Sequence, residues 1–189
     1  VVACTIDITQ GSDLGTCDGT VAIAPLVATD NCAIASVSND FNGTADASGV
    51  YPPGTTTVTW TVTDIHGNVT ACSFDVTILD TEAPSLTCAG DITQTADGGV
   101  CEAAVTIAAP VYSDNCGIAS ISNDYNGGID ASDVYPVGTT TVTWTIIDMA
   151  GNTTTCSLDV TITDNEAPVV TCPSDITVNT DTGTCEANI

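Results

Sequence analysis

Thr57-Val58-Thr59-Trp60-Thr61-Val62 and, one turn later, Ser73-Phe74-Asp75-Val76-Thr77-Ile78 decide how this chain folds. In both runs an apolar side chain occupies every second position. Successive side chains of a strand point to opposite faces, so each run reads as a strand with one apolar face and one face of threonine, serine and aspartate. His66-Gly67-Asn68 lies between them as a tight turn, and the two runs therefore predict a hairpin. Ile34, Ser36 and Ser38 continue another strand, and Ile6 and Ile8 mark the first. Val, Ile, Ala and Thr dominate the composition, which suits a pleated sheet. No segment reads as a long amphipathic helix.

The ten cysteines reveal a repeat. They stand at 4, 17, 32 and 72, at 88, 101, 116 and 156, and at 172 and 185, each 84 positions after its counterpart. Residues 1–80 align with 85–164 without a gap and share 48 of 80 positions. The second hairpin turn is accordingly Ala150-Gly151-Asn152. Three units follow: 1–80 with its first residues missing, 81–164, and 165–189 as the start of an incomplete third. About seven short strands per unit, punctuated by Gly, Pro, Asn and Asp, predict an all-β protein of tandem immunoglobulin-like sandwiches arranged end to end.

Charge excludes several functions. The 189 residues include 24 Asp and Glu and no Lys or Arg, for a formal net charge of −24. Nucleic acids and anionic membranes both require cationic side chains, and metal cations are the partners such a chain favours. At 43% hydrophobic and 13% charged residues, the sequence is too apolar for an acidic disordered chain. No stretch approaches a membrane span. The cysteine content points to an oxidising, extracellular setting. Val1 and the lack of a leader read as an excerpt of a longer precursor.

The recurring motifs carry a family resemblance. Asp30-Asn31-Cys32 and Asp114-Asn115-Cys116 precede Tyr51-Pro52-Pro53-Gly54-Thr55-Thr56-Thr57-Val58 and Tyr135-Pro136-Val137-Gly138-Thr139-Thr140-Thr141-Val142. Next come Thr63-Asp64-Ile65-His66-Gly67-Asn68 and Cys72-Ser73-Phe74-Asp75-Val76, with Cys172-Pro173-Ser174-Asp175-Ile176 opening the third unit. Together these resemble the hyalin repeat (HYR) domain, an immunoglobulin-like extracellular module. Cys4 and Cys88 lack the following Pro, and Ala33 stands where Gly117 follows the motif. The resemblance implies adhesion or extracellular scaffolding in tandem arrays, with no catalytic residues.

Four cysteines per unit allow three pairings. One local scheme is Cys4–Cys17 with Cys32–Cys72. In a sandwich whose first and last strands run the same way, however, Cys4 and Cys72 share a pole, and members of the resembled family often keep only these two. The preferred pairing is Cys4–Cys72 with Cys17–Cys32, repeated as Cys88–Cys156 with Cys101–Cys116. Zinc is disfavoured, because no Cys-x-x-Cys occurs and His66 is the single histidine.

Carboxylates cluster where the units join. Leu79-Asp80-Thr81-Glu82-Ala83-Pro84 and Thr163-Asp164-Asn165-Glu166-Ala167-Pro168 leave almost no linker. Asp114, Asn115 and Asp148 are expected near the pole that faces Asp80 and Glu82, and Asp30 and Asp64 are their counterparts in the first unit. Calcium takes six to eight hard oxygens in irregular geometry, so these residues with Asp164 and Glu166 are the candidate ligands. Asp40, Asp46, Asp124 and Asp130 read as loop residues. Asn42, Asn68 and Asn152 head Asn-x-Thr sequons, which marks them as candidate glycan sites, and the threonine ladders are candidates for O-glycans.

Catalysis is not expected. His66 aligns with Ala150, and no nucleophile, phosphate-loop or metalloprotease motif occurs. The function expected is the shaft of an extracellular fibre or stalk, its partners being neighbouring repeats or subunits of the same protein. The alternative is an adhesin or carbohydrate-binding appendage, with Phe41, Tyr51, Tyr125 and Tyr135 as the candidate sugar platform. The partial third unit, 165–189, either continues a covalent array or completes a neighbouring subunit by strand donation.

Overall fold

The computed structural model describes residues 2–4, 6–180, 182, 183 and 185. The first repeat comprises β1 (Val2–Ala3), β2 (Ile8–Gly11), β3 (Gly19–Val21), β4 (Val27–Ala28), β5 (Ile34–Asn39), β6 (Gly49–Tyr51), β7 (Gly54–Asp64) and β8 (Val69–Leu79). The second comprises β9 (Ser85–Thr87), β10 (Ile92–Thr95), β11 (Glu102–Val105), β12 (Val111–Ser113), β13 (Ile118–Asn123), β14 (Asp133–Pro136), β15 (Gly138–Asp148) and β16 (Thr153–Thr163). Among the described residues there is no helix, hence none long and apolar enough to cross a membrane.

Each repeat is a two-layer sandwich. Strands β2-β8-β7-β5 form one sheet of the first repeat, and the ribbons β1-β4 and β3-β6 face it; the second repeats this as β10-β16-β15-β13 with β9-β12 and β11-β14. The alternation read in the sequence becomes the core. Val58, Trp60, Phe74, Val76 and Ile78 meet Val21 and Tyr51 from the opposite layer. Outward, Thr57 Oγ1 donates to Asp75 Oδ1 at 2.7 Å and Thr141 Oγ1 to Asp159 Oδ1 at 2.6 Å, so these ladder hydroxyls are engaged within the sheet.

The aromatic pairs are structural. Tyr51 and Tyr135 are wholly buried and stack on Phe41 and Tyr125 with ring centroids 4.1 and 4.3 Å apart. Their hydroxyls donate to the Ala47 and Ala131 carbonyls. Burial, with lesser electrostatic contributions from the Tyr125 hydroxyl and nearby aspartates, pushes the Tyr135 phenol up to about 12. Of the candidate sugar platform, Tyr51 and Tyr135 lie inside the core and serve packing.

Strand direction places the poles. β2 runs parallel to β8, with Ile8 against Val76 and Gly11 against Leu79. The Asp13–Asp18 loop after β2 therefore sits at the pole where β8 ends. Ile34 pairs with Asp64, which puts the Asp30–Cys32 loop and the Asp64–Asn68 turn at the pole where β8 begins.

This geometry decides the disulfides. Cys4 bonds to Cys72 and Cys88 to Cys156. The preferred Cys17–Cys32 and Cys101–Cys116 bridges do not form. Cys17 and Cys32 lie at opposite poles, separated along the 11 residues of β8, and at about 3.3 Å per residue that is a gap no disulfide spans. Cys17 instead bonds to Cys116 across the boundary between repeats, with Cα atoms 4.8 Å apart. Cys32, Cys101, Cys172 and Cys185 remain exposed thiols.

Candidate metal centre at the joint between repeats

Five residues, 80–84, separate β8 from β9, so the poles of the two repeats meet directly. From the first repeat come the Asp13–Asp18 loop and the end of β8. From the second come the Asp114–Cys116 loop and the Asp148–Asn152 turn between β15 and β16. Asn115 Nδ2 donates to the Thr16 carbonyl at 2.7 Å. Asn152 Nδ2 donates to the Asp80 and Glu82 carbonyls, each at 3.2 Å. Glu82 folds back to accept from the Gly15 amide at 2.9 Å. These bonds and Cys17–Cys116 hold one arrangement of the boundary.

Three carboxylates converge there. Asp80, Asp114 and Asp148 each offer an oxygen, all within 4.8 Å of one another. Twice a calcium–oxygen distance of about 2.4 Å is about 4.8 Å, so the spacing suits three ligands around one ion. The hydrogen-bond inventory points the same way. Asp114 Oδ2 accepts from the Cys116 and Gly117 amides, both at 2.8 Å, yet Asp114 Oδ1 is buried with no partner. Asp80 Oδ1 accepts from the Glu82 amide at 3.1 Å, whereas Asp80 Oδ2 is likewise buried and unpaired, as is Asn115 Oδ1. Buried acceptors without donors are costly. With no Lys or Arg in the chain, no basic side chain can meet these oxygens, and hard oxygens so placed suit a cation.

Asp148 is 1% exposed, the most secluded acid among the described residues. Burial alone would raise its pKa. The Asn152 side chain and the amides of Asn152, Gly151 and Ala150 together outweigh burial and hold the carboxyl below the usual aspartate range. Two of those bonds are Ala150 N at 2.9 Å and Asn152 N at 2.8 Å to Oδ1, and Gly151 makes the turn at φ 94°. The carboxylate is thus kept ionised where three like charges meet.

The repeat supplies its own control. Asp30 and Asp64 are the counterparts of Asp114 and Asp148; among the described residues no counterpart of Asp80 stands against them, and Asp30 is exposed where Asp114 is half-buried. Asp164 and Glu166, counterparts of Asp80 and Glu82, are exposed at the far pole. Glu166 still accepts from Gly99 N at 2.8 Å, as Glu82 does from Gly15. Of the nine candidate ligands, the structure therefore joins Asp80, Asp114 and Asp148, while Glu82 and Asn115 line a cleft together with Asp114. Asp30 and Asp64 lie at one open pole and Asp164 and Glu166 at the other.

Two features escape a reading of the sequence. Asn152 heads a sequon, but its side-chain nitrogen is committed to Asp80, Glu82 and Asp148 inside the joint, so a sugar there cannot coexist with this boundary. The exposed Asn42 donates one Nδ2 hydrogen to the Asp46 carbonyl at 2.7 Å, and Asn68 donates one to Asp64 at 2.7 Å. The second feature is the Cys17–Cys116 staple. Following strand direction to the Asp13–Asp18 loop would have exposed it, because Cys17 faces the next repeat. Asp40 and Asp124 lock local turns, accepting from Thr59 N and Thr143 N.

A family model for the HYR domain matches residues 1–78 and again residues 79–162. Among curated proteins, hyalin of Strongylocentrotus purpuratus is 34% identical over 85% of this chain and 13% of its own length. Hyalin of Lytechinus variegatus is 34% identical over 82% of this chain and 29% of its own length. The chain thus spans less than a third of either relative. Among solved structures, the Protocadherin GammaB4 extracellular domain aligns over 86% of this chain and 31% of its own, with 13% identity and a TM-score of 0.41.

Proposed function

Because the chain belongs to the HYR domain family, we propose that it is a length of extracellular shaft, a non-enzymatic rod of sandwiches whose joints are clamped by calcium. The observation that carries this reading is the joint itself, where Asp80, Asp114 and Asp148 converge beside buried, unpaired Asp and Asn oxygens. Calcium there would be held by these three carboxylates, with Asn115 and Glu82 lining the adjoining cleft beside Asp114. It would neutralise like charges that otherwise push the repeats apart. Placement outside the cell is supported by three disulfides, which persist in oxidising surroundings. A non-enzymatic role is supported by His66, which is exposed in a turn and replaced by Ala150 in the second repeat.

The partners of such a shaft are its own neighbouring repeats. Electron micrographs of the secreted protein in calcium are expected to show straight rods advancing roughly 40 Å per repeat, from 11-residue strands at ~3.3 Å per residue plus a joint. Compact particles, or chains bent at random between repeats, would overturn the shaft reading.

A further inference from the structure

We propose that the disulfides within the repeats make this chain a load-bearing tether, in which tension bypasses most of each sandwich. Cys4–Cys72 and Cys88–Cys156 each join residues 68 positions apart in sequence, with Cα atoms 6.0 and 5.8 Å apart. Tension along the chain that reaches Cys4 therefore crosses the disulfide to Cys72. It follows the backbone for 16 residues to Cys88 and crosses again to Cys156. With a period of 84, 68 backbone steps of each repeat lie outside this covalent load path.

The segment left in the path is built to carry load. Residues 73–79 belong to β8, which lies between β7 and β2 in its sheet, and Phe74, Val76 and Ile78 are buried there. Cys72 sits opposite Trp60 on β7, while β2 flanks the far end of the segment from Val76 to Leu79. A strand already rises about 3.3 Å per residue of the ~3.6 Å available, so pulling along it gains little length. The ladder bonds to β7 run across the strand, so axial tension loads them together instead of one after another. Past β8 the path enters the joint, where Asn152 Nδ2 donates to the Asp80 and Glu82 carbonyls. Cys88 then follows directly on β9.

The consequence is a shaft that resists stretching. At about 3.6 Å per residue when fully extended, 16 residues and one disulfide span roughly 60 Å, against roughly 300 Å for 84 residues of free chain. Even if every hydrogen bond of a sandwich broke, an oxidised repeat could not lengthen beyond that limit. The Cys17–Cys116 staple is a longer parallel route, 13 residues on from Cys4 and 40 residues before Cys156, so it does not set the limit.

This inference rests on the shaft reading for the need to carry load, and its test separates the two. The oxidised full chain is held by tags at its two ends and pulled in optical tweezers. No lengthening step above ~50 Å is expected. With a dithiol reductant present, two steps of ~240 Å should appear, one for the 68 residues behind each clamp at about 3.6 Å per residue. In protein carrying Cys17→Ser and Cys116→Ser, which lacks the second route, adding Cys4→Ser with Cys72→Ser should release one such step and leave the other locked. Chain length at high force does not depend on folding, so a variant that fails to fold still reports the released residues. A long step in the oxidised native protein, or no gain when the clamp cysteines are replaced, would overturn the proposal. Short steps from a protein whose micrographs show compact particles would uphold the clamp and count against the shaft.

Discussion

Replacing Asp148 with Asn is expected to abolish the calcium-dependent part of the second repeat's stability. An ion that binds only the folded joint stabilises it by about 2.7 kcal/mol at a hundredfold excess over Kd. In a domain of this size each kcal/mol moves Tm by about 4–8 °C. Wild-type protein should therefore melt well above its chelated form. The substitution removes the charge and sets an amide donor against Asn152 Nδ2, which in the native protein donates to Asp148 Oδ2 at 2.8 Å. The variant should melt lower than wild type and at one temperature with or without calcium. Asp64→Asn provides the contrast. The turn is the same, but among the described residues no counterpart of Asp80 faces it, so the joint's response to calcium should survive. Calorimetric scans of the three proteins check this; a calcium shift retained in Asp148→Asn would contradict it.

Replacing Trp144 with Ala should be the most damaging single change to the fold. Trp144 is 1% exposed in the centre of the second core, and its indole nitrogen donates to the Ile129 carbonyl at 2.8 Å. Removing a buried Trp costs about 3–5 kcal/mol, a large share of the 5–15 kcal/mol typical of a domain. The second repeat's transition should fall by at least ~12 °C at 4 °C or more per kcal/mol, while the first repeat keeps its own. A Phe series adds a finer test. Trp60 Nε1 is buried without a partner, so Trp60→Phe removes an unsatisfied donor, whereas Trp144→Phe strands the Ile129 carbonyl. The first should be the milder by chemical denaturation, and the reverse order would contradict these assignments.

The hairpin, the alternating core and the period were legible because each depends on local pattern. Val58, Trp60 and Val62 are buried for the reason their spacing suggested, and the parallel course of β2 and β8 follows from a sandwich with first and last strands side by side. The acids at the joint were legible as a set but not as a choice. Nothing local separates Asp80 from Asp164 or Asp148 from Asp64, because what distinguishes them is whether a second repeat stands opposite. Cys17 failed for the same reason. Its partner is nearer in space than Cys32 but 99 residues away, and a search confined to one repeat cannot find it. Asn152 carried two messages, a sequon and a turn, and only the packed boundary shows that the turn governs its side chain.

The joint makes one arithmetic demand, because one complete set, Asp80 with Asp114 and Asp148, is assembled among the described residues, while Asp30/Asp64 and Asp164/Glu166 are half-sets. Titration of calcium into the oxidised protein by calorimetry should give a stoichiometry near one ion per molecule, lost in Asp148→Asn and kept in Asp64→Asn. No calcium uptake, or uptake unchanged when Asp148 is replaced, would contradict a calcium-clamped joint.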